Sequence, residues 1–86
     1  MHIPELVLVT KSQCHLCDAA RETVASVAAD AGIAWAEQLI DDDDTLRARF
    51  AEEVPVVLVD GVQRDFWKID PVRLRKTLDK AMSQAD

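Results

Sequence analysis

An α/β fold with a four-stranded mixed sheet flanked by helices, in the order β-α-β-α-β-β-α, is what this sequence predicts. Three observations carry that prediction. Leu6–Val9 and Val54–Val59 are continuous apolar runs, the pattern of strands buried on both faces. A stripe at helical spacing follows the first run. Asp60-Gly61, flanked by Val59 and Val62, is a two-residue hairpin signal, because both central positions of such a turn need positive φ.

Taken in order, the first strand spans Glu5–Thr10, and a polar loop, Lys11-Ser12-Gln13, leads to Cys14. Leu16, Ala20, Val24, Val27 and Ala31 then recur on one helical face, and Gly32 stands where a left-handed cap ends the helix. Ile33–Ile40 reads as the second strand, with Ile33, Trp35 and Leu39 on one face and Glu37 interrupting it. Strand, helix and strand make a right-handed crossover unit. The acidic run Asp41–Asp44 supplies an N-cap for a short helix reaching about Glu52, with Leu46 and Phe50 as its inward pair. The third strand, Val54–Val59, contains Pro55, and Val62–Trp67 is its antiparallel partner. Asp70-Pro71 opens the last helix, Asp as N-cap and Pro at the first helical position, with Leu74, Leu78 and Ala81 or Met82 as the buried stripe.

The 86 residues leave room for one domain, 1–86, whose core is modest but sufficient to fold alone. Hydrophobic residues at 49% and charged residues at 30% argue against disorder and low complexity. The net charge of -6 argues against a nucleic-acid partner, which needs basic clusters. The longest apolar run is far short of a membrane span, and the first residues lack the pattern of a signal peptide. The cytosol is therefore the expected location, where disulfides are transient or catalytic.

Only two cysteines are present, in Cys14-His15-Leu16-Cys17. A disulfide closing so short a loop is a weak structural staple, contributing about 2 kcal/mol in the chain-entropy model. Chemistry at the pair is the better reading. Residues at i and i+3 on a helix are neighbours within disulfide reach. Cys14 falls at the helix start, where free N–H groups and the helix dipole stabilise a thiolate. Lys11 and protonated His15 add positive charge, whereas Asp18 opposes it. Cys17, one turn inside, is the more enclosed thiol. Cys14 then attacks a substrate disulfide and Cys17 resolves the mixed disulfide. Two rivals remain open at this point. The thiols are half of a zinc or iron–sulfur site completed by another chain or thiol source, or the pair is inert in an interaction domain. No metal site is assigned within the chain.

Thr10-Lys11-Ser12-Gln13-Cys14-His15-Leu16-Cys17, Glu53-Val54-Pro55-Val56-Val57 and Val59-Asp60-Gly61 together resemble the glutaredoxin-like branch of the thioredoxin-fold superfamily. The resemblance covers nearly the whole chain and implies thiol–disulfide oxidoreductase activity. It implies a cis bond at Val54-Pro55, facing Cys14, and backbone pairing of Val54 with bound substrate. The chain departs from the family in two places. His15-Leu16 stands where Pro-Tyr is usual, and Arg64-Asp65-Phe66-Trp67-Lys68-Ile69 replaces the Gly-Gly loop that lets glutathione approach. Glutathione is therefore expected to be a poor partner, and no cofactor is expected. The partners implied are a disulfide-containing protein or small thiol substrate and a separate reductant, acting on a monomer.

The remaining singular residues have ordinary readings. His2 is merely near the terminus. Asp41–Asp44 is a solvated helix cap, lacking the glycine and spacing of a calcium loop. Trp35 and Phe50 are core residues, and of Phe66 and Trp67, on alternating faces, one is expected in the core. Arg73, Arg75, Lys76 and Lys80 give the last helix basic charge.

Overall fold

The computed structural model describes residues 2–83. Its elements follow the predicted order: β1 (Leu6–Thr10), α1 (His15–Ala31), β2 (Trp35–Leu39), α2 (Asp44–Phe50), β3 (Val56–Val59), β4 (Val62–Phe66) and α3 (Pro71–Ser83). A short 3₁₀ turn, Ile40–Asp42, joins β2 to α2. The sheet order is β2-β1-β3-β4. β1 runs parallel to β2, with Leu6 opposite Trp35, and antiparallel to β3, with Leu6 opposite Val59. β3 and β4 are antiparallel, with a bulge at Val57/Leu58.

The two central strands are the two apolar runs, and every residue of both is buried. Alternate side chains feed two cores. Leu6, Leu8, Val57 and Val59 pack with Val24 of α1 and Leu74 and Leu78 of α3. Val7, Val9, Val56 and Leu58 pack on the other face with Ile40, Phe50, Val54 and Cys17. α1 therefore lies on the first face while its opening turn reaches the second, at the end of β1.

Local chemistry places the ends of these elements. Gly32 is left-handed at φ 72, closing α1. Asp43 caps α2, its carboxylate accepting the N–H groups of Thr45 at 2.9 Å and Leu46 at 3.0 Å. Asp43→Ala is expected to cost about 1 kcal/mol of stability, seen as a lower urea midpoint, with Asp43→Asn recovering most of it. The hairpin turn has the positive φ values its sequence demands, 53 at Asp60 and 79 at Gly61. The Asp60 carboxylate also accepts the Glu5 N–H at 2.9 Å and meets His2 at 2.7 Å, so His2 ties the amino-terminal segment to the hairpin. Asp70 caps α3 through the N–H groups of Val72 and Arg73.

Three expectations are corrected. Leu16 does not join the buried stripe of α1; it is 51% exposed, and Cys17 takes its place with 0%. The stripe is 17-20-24-27, and Leu16 lies about 100° away from Cys17 around the helix. The second strand is shorter than Ile33–Ile40, and Leu39 is 41% exposed, β2 being an edge strand of the sheet. Neither Phe66 nor Trp67 is in the core. Trp67 has φ 61, so strand alternation stops at Phe66 and the two rings do not point to opposite faces of the sheet.

Candidate active site

The chain leaves β1 at Thr10 and turns through Lys11-Ser12-Gln13, with Gln13 in the left-handed region at φ 56. That turn delivers Cys14 in an extended conformation as the N-cap of α1. Its Sγ accepts the Cys17 N–H at 3.1 Å, the role a serine or aspartate oxygen plays at most helix starts. Cys14 and Cys17 form a disulfide with their Cα atoms 5.2 Å apart. Cys14 is half-buried, whereas Cys17 is fully enclosed among the apolar side chains of the second core.

The turn before Cys14 is held from outside. Asp41 accepts both the N–H and the hydroxyl of Ser12, and Arg47 donates to the Asp41 carbonyl at 2.7 Å. The Ser12 hydroxyl and amide hold the Asp41 carboxyl below the usual carboxylate range. One member of the acidic run is thus a clamp on the cysteine loop and another, Asp43, a helix cap. Lys11 and His15 are both exposed beside the pair. Lys11 makes no ion pair among the described residues and lines a shallow cavity of about 400 Å³ with Ser12, Asp41 and Arg47. His15 is the first residue of α1.

The Val54-Pro55 bond is cis. Pro55 is fully buried, and Val54 shares the core cluster of Cys17 against which Cys14 packs. The structure therefore brings Val54 to the cysteines. The Val54 N–H is engaged, donating to the Phe50 carbonyl at 3.1 Å.

Two further polar arrangements go beyond the sequence expectations. Asp65, only 8% exposed, accepts the N–H groups of Phe66 at 2.9 Å and Asp70 at 3.1 Å and pairs with Arg73 at 3.3 Å. It sets the loop that follows β4. At the end of β1, the buried Thr10 hydroxyl donates to Glu37 at 2.7 Å, and Glu37 pairs with Arg21 through both its oxygens. Asp18 pairs with the same guanidinium at 2.8 Å. The signal was visible as Glu37 breaking an apolar face; its partner lies on another element and has no sequence mark. The Arg21 hydrogen bond is the main cause of a Glu37 carboxyl held below the usual range, and Arg21 is raised in turn. A carboxyl depressed on folding stabilises the fold above its unfolded pKa, and that contribution fades as pH falls through the folded value. Wild type is thus expected to exceed Glu37→Gln in urea midpoint at neutral pH, the gap closing on acidification. A gap unchanged down to acid pH would show that charge is not its source.

Among the described residues, no group of three or more His, Cys, Asp and Glu side chains is placed to hold a metal ion. No helix among them is long and apolar enough to cross a membrane.

Residues 5–79 match the family model described as "Glutaredoxin-like domain (DUF836)". An uncharacterized protein of Mycobacterium tuberculosis, Rv0508, is 29% identical, the match covering 94% of this chain and 89% of that one. Among solved structures, the structural-genomics target protein XcR50 from X. campestris is 37% identical, with TM-score 0.73, over 88% of this chain and 97% of that one. A mutant thioredoxin from Halobacterium salinarum has TM-score 0.71 at 20% identity, over 93% of this chain and 75% of its own. That last likeness is one of fold alone, and the fold is thioredoxin-like.

Proposed function

From the premise that this chain belongs to the Glutaredoxin-like domain (DUF836) family, we propose that it is a thiol–disulfide oxidoreductase with Cys14 as nucleophile and Cys17 as resolving thiol. One observation carries the reading. The pair stands at a helix start with Cys14 Sγ as the N-cap acceptor and reachable from solvent, while Cys17 is enclosed. In the reduced protein the N–H group that now meets Sγ, and the positive end of α1, favour the thiolate at Cys14 over the thiol. Lys11 and His15 sit on the exposed side and add donors for the thiolate or the arriving substrate. The thiolate attacks one sulfur of a substrate disulfide, the other sulfur leaving as a thiolate that takes up a proton. Cys17, deprotonated as it attacks Cys14 Sγ, then expels the second substrate sulfur. The protein ends as the Cys14–Cys17 disulfide, its two electrons now on the substrate dithiol.

The substrate backbone is taken to run along Val54 and Pro55, since Val54 shares the apolar cluster of Cys17 against which Cys14 packs. Since the Val54 N–H already has the Phe50 carbonyl, strand-like pairing of substrate there either uses the Val54 carbonyl or displaces that bond. The reading needs no cofactor and one chain only. It needs a separate reductant and a reducing compartment, which makes the cytosol its natural setting. The test is reduction by glutathione and by a thioredoxin-type donor, run side by side on the oxidised protein, followed by transfer to a disulfide. Stoichiometric transfer of two electrons per chain, with the thioredoxin-type donor faster, is expected. A pair that is reduced but passes nothing on would overturn the proposal.

A further inference from the structure

Phe66 and Trp67 are an exposed aromatic pair that the fold holds in place. They are 43% and 54% exposed, and their rings meet edge to face at 5.1 Å. Trp67 is fixed twice against the segment that carries the cis proline. Its backbone N–H donates to the Pro55 carbonyl at 2.8 Å, and its indole N–H donates to the Glu52 carbonyl at 2.9 Å. The ring therefore lies along Glu52–Pro55, whose Val54 packs in the cluster with Cys17 and Cys14. The backbone of Trp67 is left-handed, an unfavourable conformation for a tryptophan. Buried Asp65 secures the loop from behind, through the N–H groups of Phe66 and Asp70 and through Arg73. Neither ring belongs to a core cluster among the described residues. Hydrogen bonds and a strained backbone instead keep a large apolar surface in water, on the segment whose Val54 packs in the cluster of the cysteine pair.

We propose that Phe66 and Trp67 form an apolar platform that selects the disulfide partner of Cys14: a polypeptide disulfide with an apolar or aromatic side chain beside its cysteine. This rests on the oxidoreductase reading above and names its substrate class. Attachment to the segment whose Val54 packs in the cysteine cluster decides the occupant. Trp67 is bonded to Glu52 and Pro55, on either side of the Val54 that shares the cysteine cluster, so a polypeptide reacting at Cys14 can lay a flanking side chain on the rings. Covering an aromatic face with an apolar side chain is favourable, and a held ring loses little freedom when covered. Glutathione has no apolar side chain to cover the rings, so they give it nothing. The reaction is the exchange already described: reduced Cys14 and Cys17 supply two electrons, the peptide disulfide becomes two thiols, and Cys14–Cys17 becomes the disulfide.

The experiment uses the full chain, reduced and freed of reductant. It measures single-turnover rates with three probes: a disulfide peptide with leucine and phenylalanine beside the cysteines, the same peptide with glycine there, and glutathione disulfide. Wild type is expected to favour the apolar peptide over the glycine peptide by about tenfold, with glutathione disulfide slowest. In Trp67→Ala and Phe66→Ala the apolar-to-glycine ratio should fall toward one. Val62→Ser, an equally exposed apolar position at the other end of β4, should keep the wild-type ratio. Asp65→Asn should lower the ratio by loosening the loop, even though both rings remain. Equal rates on all probes in wild type, or a ratio that survives Trp67→Ala, would overturn the inference while leaving the oxidoreductase reading in place. No reaction of wild type with any probe would overturn both.

Discussion

Cys14→Ser is expected to abolish disulfide reduction, with loss on the order of 10³-fold or more, because the reacting thiolate itself is removed. Cys17→Ser should behave differently. It keeps the N-cap thiolate, attacks a substrate disulfide and stops there, so that a mixed disulfide through Cys14 accumulates. The asymmetry follows from burial and helix geometry. Cys14 is half-buried at the start of α1, and Cys17 is 0% exposed inside the second core. Only the helix-start residue gains the stabilisation of N–H groups and dipole, so Cys14 should also be alkylated first near neutral pH. Mass spectrometry of the trapped species and of briefly alkylated reduced protein checks both points. Equal, slow alkylation with no trapped partner in either variant would mean an inert pair. Equal loss of bound metal in both would mean a shared metal module. Faster alkylation of Cys17 would reverse the two roles.

The parts of this protein that local chemistry decides were readable from the chain. The two apolar runs became the two central strands because strands bonded on both sides and covered on both faces have no polar position to fill. Asp60-Gly61 and Asp70-Pro71 marked a turn and a helix start through requirements carried by those residues alone. The redox pair was legible for the same reason: a CxxC between a buried strand and an amphipathic helix has few other uses. What stayed hidden depends on distant partners. Whether Leu16 or Cys17 faces inward is a one-residue phase choice, and leucine's greater hydrophobicity favoured the wrong one. Glu37 and Arg21 lie on β2 and α1, and Asp41 and Ser12 are also far apart in sequence, so neither pairing leaves a local mark. The exposure of both Phe66 and Trp67 turns on a single positive φ at Trp67, which composition cannot reveal.

Phe50→Ala is expected to cost about 3–5 kcal/mol, a large part of the roughly 5–15 kcal/mol that holds a domain folded. Phe50 is 2% exposed and is the largest fully buried side chain among the described residues. Its ring fills the second core beside Val54 and Cys17, with the Arg49 guanidinium 4.5 Å from its centroid. Its carbonyl accepts the N–H groups of Glu53 and Val54, so the same residue anchors α2 and aims the chain into Pro55. Leu78→Ala provides the comparison. Leu78 is also fully buried, but in the first core, between the sheet and the helices, and its loss should cost about 2–5 kcal/mol. Both variants should lower the urea midpoint. Only the Phe50 substitution opens a cavity under the cysteine pair, so only there should Cys17 of the reduced protein become accessible to alkylation while the chain is still folded by circular dichroism. Phe50→Leu, which leaves a smaller void, should show the same change in reduced measure if Phe50→Ala is too unstable to isolate. Equal Cys17 protection in the Phe50 and Leu78 variants would mean that the second core does not control access to the resolving thiol.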